Sequence, residues 1–208
     1  MTYEEFEEKR KNKILKEFKN HRAFFSNQGD IQILDWKDPE TITYLIRYVI
    51  DNDKIYISGD LGSAILRFYD VNIKSFKALK NTNRTYFLSK LECCCHEKKE
   101  FNQAVFETEL EEKINEIIDE YLYDNPNKTK YDFWNQEYNY TKYKDIYEDI
   151  IDNYRSEYES NFQNIDIHPI EKLFADNDFW EWFYDLGFVT AFRLDCYYYG
   201  LMEAIKNE

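Results

Sequence analysis

The chain has 208 residues, enough to bury a core as one domain or two small ones; its 19% aromatic content with only five Gly and three Pro favours long helices joined by few loops. No run of about 18 apolar residues exists to span a membrane, and the acidic start Met1-Thr2-Tyr3-Glu4-Glu5 lacks the apolar centre of an export signal. A cytoplasmic protein with four reduced cysteines is therefore expected, and its net charge of −14 is unevenly spread, with 18 Lys+Arg against 15 Asp+Glu in residues 1–99 and 9 against 26 in residues 100–208.

Residues 2–22 read as an amphipathic helix with Phe6, Ile14, Leu15 and Phe18 as its apolar stripe. Glu4, Glu5, Glu7 and Glu8 come first and Lys9, Arg10, Lys11, Lys13, Lys16 and Lys19 last, an order that complements the helix dipole. A basic helix also suits contact with nucleic-acid phosphates. Phe24 and Phe25 are expected to tuck the helix end into the core, and residues 26–30 (Ser-Asn-Gln-Gly-Asp) to form a loop.

Three strands are predicted next. Ile31–Trp36 is the first, ended by the Pro39 region; Ile42–Ile50 is the second, with Tyr44, Ile46, Tyr48 and Ile50 alternating against Leu45, Arg47 and Val49. Asp51-Asn52-Asp53 makes a hairpin turn into the third, Lys54–Ser58, whose Ile55 and Ile57 share one face while Tyr56 takes the other. A three-stranded antiparallel meander results, and it needs helices over its apolar face. The chain is organised around Asp53–Phe68, in which Ser58-Gly59-Asp60-Leu61-Gly62 places two of the five glycines within four residues. Ala64, Ile65, Leu66 and Phe68 read as a helix after this turn, capped by Asp60 or Ser63. Backbone N–H groups at such a corner can cradle a phosphate, but Asp60 opposes an anion and no lysine follows, which favours a structural corner.

Beyond Phe68 the pattern is helical. Ile73–Lys80 and Arg84–His96 read as short helices, and residues 101–123 as a long one. Val105, Leu110, Ile114, Ile117, Ile118, Tyr121 and Leu122 line one side of the long helix and Glu107, Glu111, Glu112, Glu116, Asp119 and Glu120 the rest. Three adjacent residues on a helix project about 100° apart, so Cys93-Cys94-Cys95-His96 cannot close a tetrahedral metal site and reads as packed thiols. No metal or other cofactor is implied. Carboxylates are abundant enough that a divalent-metal nuclease site on Asp60, Asp70 or the Asp145-Glu148-Asp149-Asp152 run has no specific signal. A further helix begins near Ile170, and Phe188–Ile205 reads as a last apolar helix after Gly187.

The fold class is thus α+β: residues 1–99 form a small antiparallel sheet covered by helices, and 100–208 an acidic helical region, or the two form one continuous domain. In residues 131–160, nine aromatics alternate with Asp and Glu at roughly helical spacing. Such a segment serves either as an interface, because Tyr gives large contact area at low entropic cost, or as a core stripe with hydroxyls at its rim. The candidate binding residues are Tyr138, Tyr143, Asp145, Tyr147, Glu148, Asp149 and Asp152 there, with Gly59, Asp60, Gly62 and Arg67 in the sheet half.

Ile33-Leu34-Asp35-Trp36, Tyr44-Leu45-Ile46-Arg47-Tyr48-Val49-Ile50 and Ile55-Tyr56-Ile57-Ser58-Gly59-Asp60-Leu61-Gly62-Ser63-Ala64 together make an LDW…RYV…SGDLG signature. It resembles that of a family of small phage and mobile-element proteins of Gram-positive bacteria, which includes anti-CRISPR proteins that disable type II effector nucleases. The resemblance spans about residues 31–69 and carries no catalytic residue. It implies inhibition of a host CRISPR effector nuclease by interference with guide-RNA loading or integrity. An acidic half suits the basic guide–target channel of such an effector. The alternatives are an RNA-cleaving enzyme acting on guide RNA and a phage structural or accessory protein. None of these readings needs a membrane, and the sequence leaves the oligomeric state open.

Overall fold

Period-two alternation of apolar residues sets the centre of the fold. Ile46, Tyr48 and Ile50 are buried while Arg47 and Val49 face away; Ile55 and Ile57 are buried while Tyr56 is exposed. The computed structural model describes residues 2–69, 73, 75–136 and 186–206. Its chain divides into two compact units. A sheet unit comprises Tyr3–Glu100 and Val189–Glu208, and a helical unit comprises Met1–Thr2 and Phe101–Phe188.

In the sheet unit, helix α1 (Tyr3–Glu17) and a 3-10 turn (Phe18–Asn20) precede β1 (Arg22–Gln28), β2 (Ile31–Lys37), β3 (Ile46–Asp51), β4 (Lys54–Gly59) and β5 (Ala64–Arg67). A second 3-10 turn (Phe76–Leu79), α2 (Arg84–Ser89) and β6 (Leu91–Cys94) follow. The sheet has six strands in the order β1-β2-β3-β4-β5-β6, every neighbouring pair antiparallel. The α+β class therefore holds, but the sheet is twice the expected size.

Each added strand corrects a specific expectation. Residues 22–28 are a strand rather than a helix end and loop, because β2 supplies a complete antiparallel ladder to the polar Ser26-Asn27-Gln28 run. Phe24 and Phe25 accordingly stand 44% exposed instead of anchoring the core. Ala64–Arg67 is strand, not helix: a four-residue apolar run fits either period, and the open edge of β4 captures it. The expected helix over 84–96 stops at Ser89, after which Leu91–Cys94 pairs with β5 across a register shift at Ile65/Leu66. The Ile73–Lys80 helix contracts to the 3-10 turn. The strand expected to start at Ile42 begins at Ile46, since Tyr44 adopts φ 56° inside a turn. The hairpin at 51–53 forms as expected, with Asn52 at φ 55°.

The chain returns to this unit after residue 188. β7 (Lys99–Phe101) and β8 (Phe188–Thr190) form a separate two-stranded ladder, and the division between units falls inside both strands. The last helix, α5 (Phe192–Ile205), is four residues shorter at its start than expected because Phe188–Thr190 is strand. It packs with α1, α2 and β1 to β3. Ile14 of α1, Phe18 of the 3-10 turn after it, and Leu194, Tyr197, Leu201 and Ile205 of α5 close one sheet face over Leu34, Ile46, Tyr48, Ile50, Ile55, Ile57 and Leu66. The buried Tyr48 hydroxyl donates to the Tyr197 carbonyl at 2.8 Å, tying sheet to helix without leaving a polar atom unsatisfied.

His21, 5% exposed, follows the 3-10 turn; its Nε2 lies 3.2 Å from the Tyr44 carbonyl, and its Nδ1 is buried without a hydrogen-bond partner. Burial holds the imidazole below its ordinary pKa, outweighing the bond to Tyr44 and the charge of Asp38. The unfolded chain therefore binds a proton first as pH falls below about 6.5. Stability is expected to be full above that pH and to decline through the range down to the native pKa. Urea unfolding across pH 7.5 to 5 should show this loss, and His21→Phe should flatten it.

In the helical unit, α3 (Gln103–Asp124) matches the predicted long helix to within two residues. Asn102 caps it by accepting from the Val105 N–H at 3.1 Å, and Val105, Phe106, Leu110, Ile114 and Ile118 are its buried stripe. Asn125-Pro126 ends it. Thr129 and Asp132 then cap α4 (Lys130–Gln136), and Tyr121 packs on Phe133 with ring centroids 5.2 Å apart. Among the described residues no helix is long and apolar enough to cross a membrane.

Candidate functional site

The Ser58–Gly62 corner joins β4 to β5 as a strand-to-strand turn held by several hydrogen bonds. The Asp60 N–H donates to the Leu45 carbonyl at 3.0 Å and the Gly62 N–H to the Gly59 carbonyl at 3.2 Å. The Ser63 N–H donates to Cys95 Sγ at 3.1 Å, and the Cys95 N–H returns to the Ser63 carbonyl at 3.0 Å. The Asp60 carboxylate accepts from the Tyr44 N–H at 2.9 Å and so holds the left-handed Tyr44 turn closed. From α5, the Tyr197 hydroxyl donates to the Leu61 carbonyl at 2.8 Å. A phosphate cradle needs several backbone N–H groups aimed outward. Here those of Asp60, Gly62 and Ser63 point into the fold, which favours the structural corner over the anion cradle.

Gly59, Asp60 and Gly62 are thus together, whereas Arg67 is at the far end of the β4–β5 hairpin, opposite Lys54 and about 10 Å along the strand from Ala64. Its Nε donates to Asp53 Oδ2 at 2.7 Å, its Nη1 lies 3.6 Å from Glu92 Oε1, and its guanidinium stacks over Tyr69 at 4.7 Å. The bond from Arg67 holds the Asp53 carboxyl below its ordinary range. Arg67 is committed to neighbouring carboxylates, and this local neutralisation leaves little net charge for a phosphate.

The cysteine run also differs from expectation. It is on a strand edge rather than a packed helix; Cys93 and Cys95 are exposed and Cys94 is half-buried, with Cys94 Sγ donating to the His96 carbonyl at 2.9 Å. The Ser63 N–H lowers the Cys95 thiol pKa, while burial raises that of Cys196 far above the ordinary thiol range. Among the described residues, no three or more His, Cys, Asp or Glu are grouped to hold a metal ion.

Sequence reading missed a charged cluster that gathers around a buried carboxylate. Asp195, in the first turn of α5, is 1% exposed and accepts from Arg84 Nε at 2.6 Å and from Arg10 Nη1 at 3.3 Å. Arg84 also donates to Glu7 at 2.7 Å, and Arg10 donates to Glu100 and to the Thr190 carbonyl. Glu100 in turn accepts from the Phe192 N–H at 3.0 Å. Burial raises the Asp195 pKa against the pull of the two guanidiniums; at Arg84 burial pulls the pKa down, and the bond and charge of Asp195 with the charge of Glu7 outweigh this and raise it. Five charged groups from α1, α2, β7 and α5 thereby form one network centred on Asp195.

Charge follows the division of the chain. The sheet unit holds 20 Lys+Arg against 19 Asp+Glu, and the helical unit 7 against 22. Within α3, Lys113 is the one basic residue among eight acids. Glu112, Glu116 and Glu120 are exposed and stand one turn apart, about 6 Å, along one side of the helix. Tyr138, Tyr143, Asp145, Tyr147, Glu148, Asp149 and Asp152 lie outside the described residues, as does the helix expected from Ile170. Comparison of the chain with protein-family models, with curated proteins and with solved structures gave no match.

Proposed function

We propose that the protein is a binding inhibitor of an RNA-guided type II effector nuclease, of the anti-CRISPR kind, acting on guide-RNA loading or integrity. Its acidic unit competes for the basic channel that receives the guide–target duplex. The observation that supports this reading most is the coincidence of charge with architecture. A nearly neutral sheet unit carries the signature, and a helical unit with 7 basic against 22 acidic residues carries the net negative charge. Helix α3 presents Glu112, Glu116 and Glu120 at one-turn intervals, Glu116 also accepting from Lys113 at 2.7 Å, and so offers carboxylates in a regular array, as a phosphate backbone does.

Binding of this kind is salt-dependent, because the encounter is electrostatic. Inhibition of target-DNA cleavage should weaken steeply from low to physiological salt. Two charge-reversed sets, Glu112/Glu116/Glu120→Lys and Asp145/Glu148/Asp149/Asp152→Lys, should each reduce inhibition by about tenfold or more. Salt-independent inhibition that survives both reversals overturns the docking reading. Sizing the guide RNA on a denaturing gel in the same reactions separates mechanisms: an intact but unbound guide supports blocking, and a shortened one supports cleavage.

A further inference from the structure

The two edges of the six-stranded sheet differ. β6 is four residues long, meets β5 through a register shift and carries Glu92, three features that discourage pairing with another chain. β1 has none of them. It is seven residues long, pairs with β2 in unbroken register from Arg22↔Lys37 to Gln28↔Ile31, and contains no Pro, Lys or acid. Its only charge is Arg22, at the end, and Phe24 and Phe25 are both 44% exposed.

The two-residue Gly29–Asp30 turn makes Gln28↔Ile31 a hydrogen-bonded pair, so alternate residues of β1 direct their main-chain groups outward. The outward set is Ala23, Phe25 and Asn27. Among the described residues no backbone partner outside β2 meets them.

We infer that β1 is a self-association edge, on which a second copy of this chain adds its own β1 antiparallel, about a two-fold axis at Phe25. The sequence is self-complementary in that register. Arg22 faces Gln28, Ala23 faces Asn27, Phe24 faces Ser26 and Phe25 faces Phe25 of the other copy, so no like charges oppose. About six main-chain hydrogen bonds close the ladder, and the two sheets become one of twelve strands. Charge selects the occupant as well. The sheet unit, with 20 basic against 19 acidic residues, lets two copies approach there, whereas the helical units would repel. This association is independent of the inhibitory reading and stands or falls without it.

Light scattering coupled to size exclusion should give a mass rising with concentration from 25.5 kDa towards twice that value. Phe25→Glu and Phe25→Lys each place like charges across the axis and should weaken the dimer about tenfold or more. Mixing the two variants in equal amounts should restore it, since only a two-fold centred on residue 25 sets Glu against Lys. A wild type that stays monomeric, variants that dimerise as the wild type does, or a mixture that is not restored overturns the inference. Hydrogen exchange in the wild type needs no substitution: residues 22–28 should exchange more slowly as concentration rises, and exchange independent of concentration overturns it equally.

Discussion

Asp195→Ala is expected to lower the unfolding free energy by about 3 kcal/mol or more, at the level of breaking a buried ion pair from one side. The carboxylate is 1% exposed and answers two cations, Arg84 at 2.6 Å and Arg10 at 3.3 Å. Removing it takes one carboxylate from each guanidinium and leaves Arg84 with Glu7 and Arg10 with Glu100, both of which are partly exposed to water. The loss should not reflect the net worth of the network, because desolvating its members costs much of what their attraction returns. A variant that removes both charges, Asp195→Leu with Arg84→Met, should therefore be less destabilised than the sum of its single changes. The exposed Arg47–Asp35 pair, bidentate at 2.6 and 2.8 Å, is the control. Its Arg47→Ala variant should cost under about 1 kcal/mol, because water screens that pair. Urea titrations at neutral pH compare the three, and an Asp195→Ala cost no larger than that of Arg47→Ala would sink the argument.

That network also marks where sequence reading ends. Arg10 stood among six basic residues of a helix whose charges suit its dipole, and Asp195 follows it by 185 positions; nothing local announces that they meet. Arg10 is turned inward with Phe6 and Ile14, its side chain 9% exposed, and this follows from where α5 packs. Local order was legible where one period repeats: 46–50 and 54–58 alternate, and α3 has both a 3.6-residue stripe and an Asn102 cap. It was illegible at Ala64–Arg67 and Leu91–Cys94, where four residues are too few to distinguish periods and a neighbouring strand decides. β1 failed for another reason. Ser26-Asn27-Gln28 has turn chemistry, and only the complete ladder from β2 makes it strand. At the corner, the need for glycine was readable, but its partners Leu45, Tyr44 and Cys95 were not. Tyr44 and Leu45 fall inside the strand expected over 42–50, and Cys95 inside the helix expected over 84–96.

Gly59→Ala should be the most damaging single methyl in the sheet unit, at about 3–5 kcal/mol. A Cβ at this position would stand 2.1 Å from the Leu45 carbonyl oxygen and 3.0 Å from its carbon, both backbone atoms, at a φ of +146° that side chains rarely adopt. Overpacking and backbone strain each contribute about 1–3 kcal/mol, and here they act together. Leu45 cannot retreat cheaply, because its carbonyl already accepts the Asp60 N–H at 3.0 Å. Moving it would also disturb the Asp60–Tyr44 bond that holds Tyr44 at φ 56°. Gly62→Ala is the contrast. There the Cβ meets Cys95 Sγ at 2.6 Å, the end of a side chain, so Cys95→Ala should relieve part of the cost and leave mainly the strain of φ +96°. Denaturant midpoints should therefore fall in the order Gly59→Ala below Gly62→Ala, with Gly62→Ala/Cys95→Ala above the sum of its parts. Equal midpoints for the two glycine variants would mean that the corner adapts and that Leu45 is not its fixed wall. Because Gly59 serves the fold of the hairpin, a contact role for the corner must be sought in exposed groups that the fold does not use.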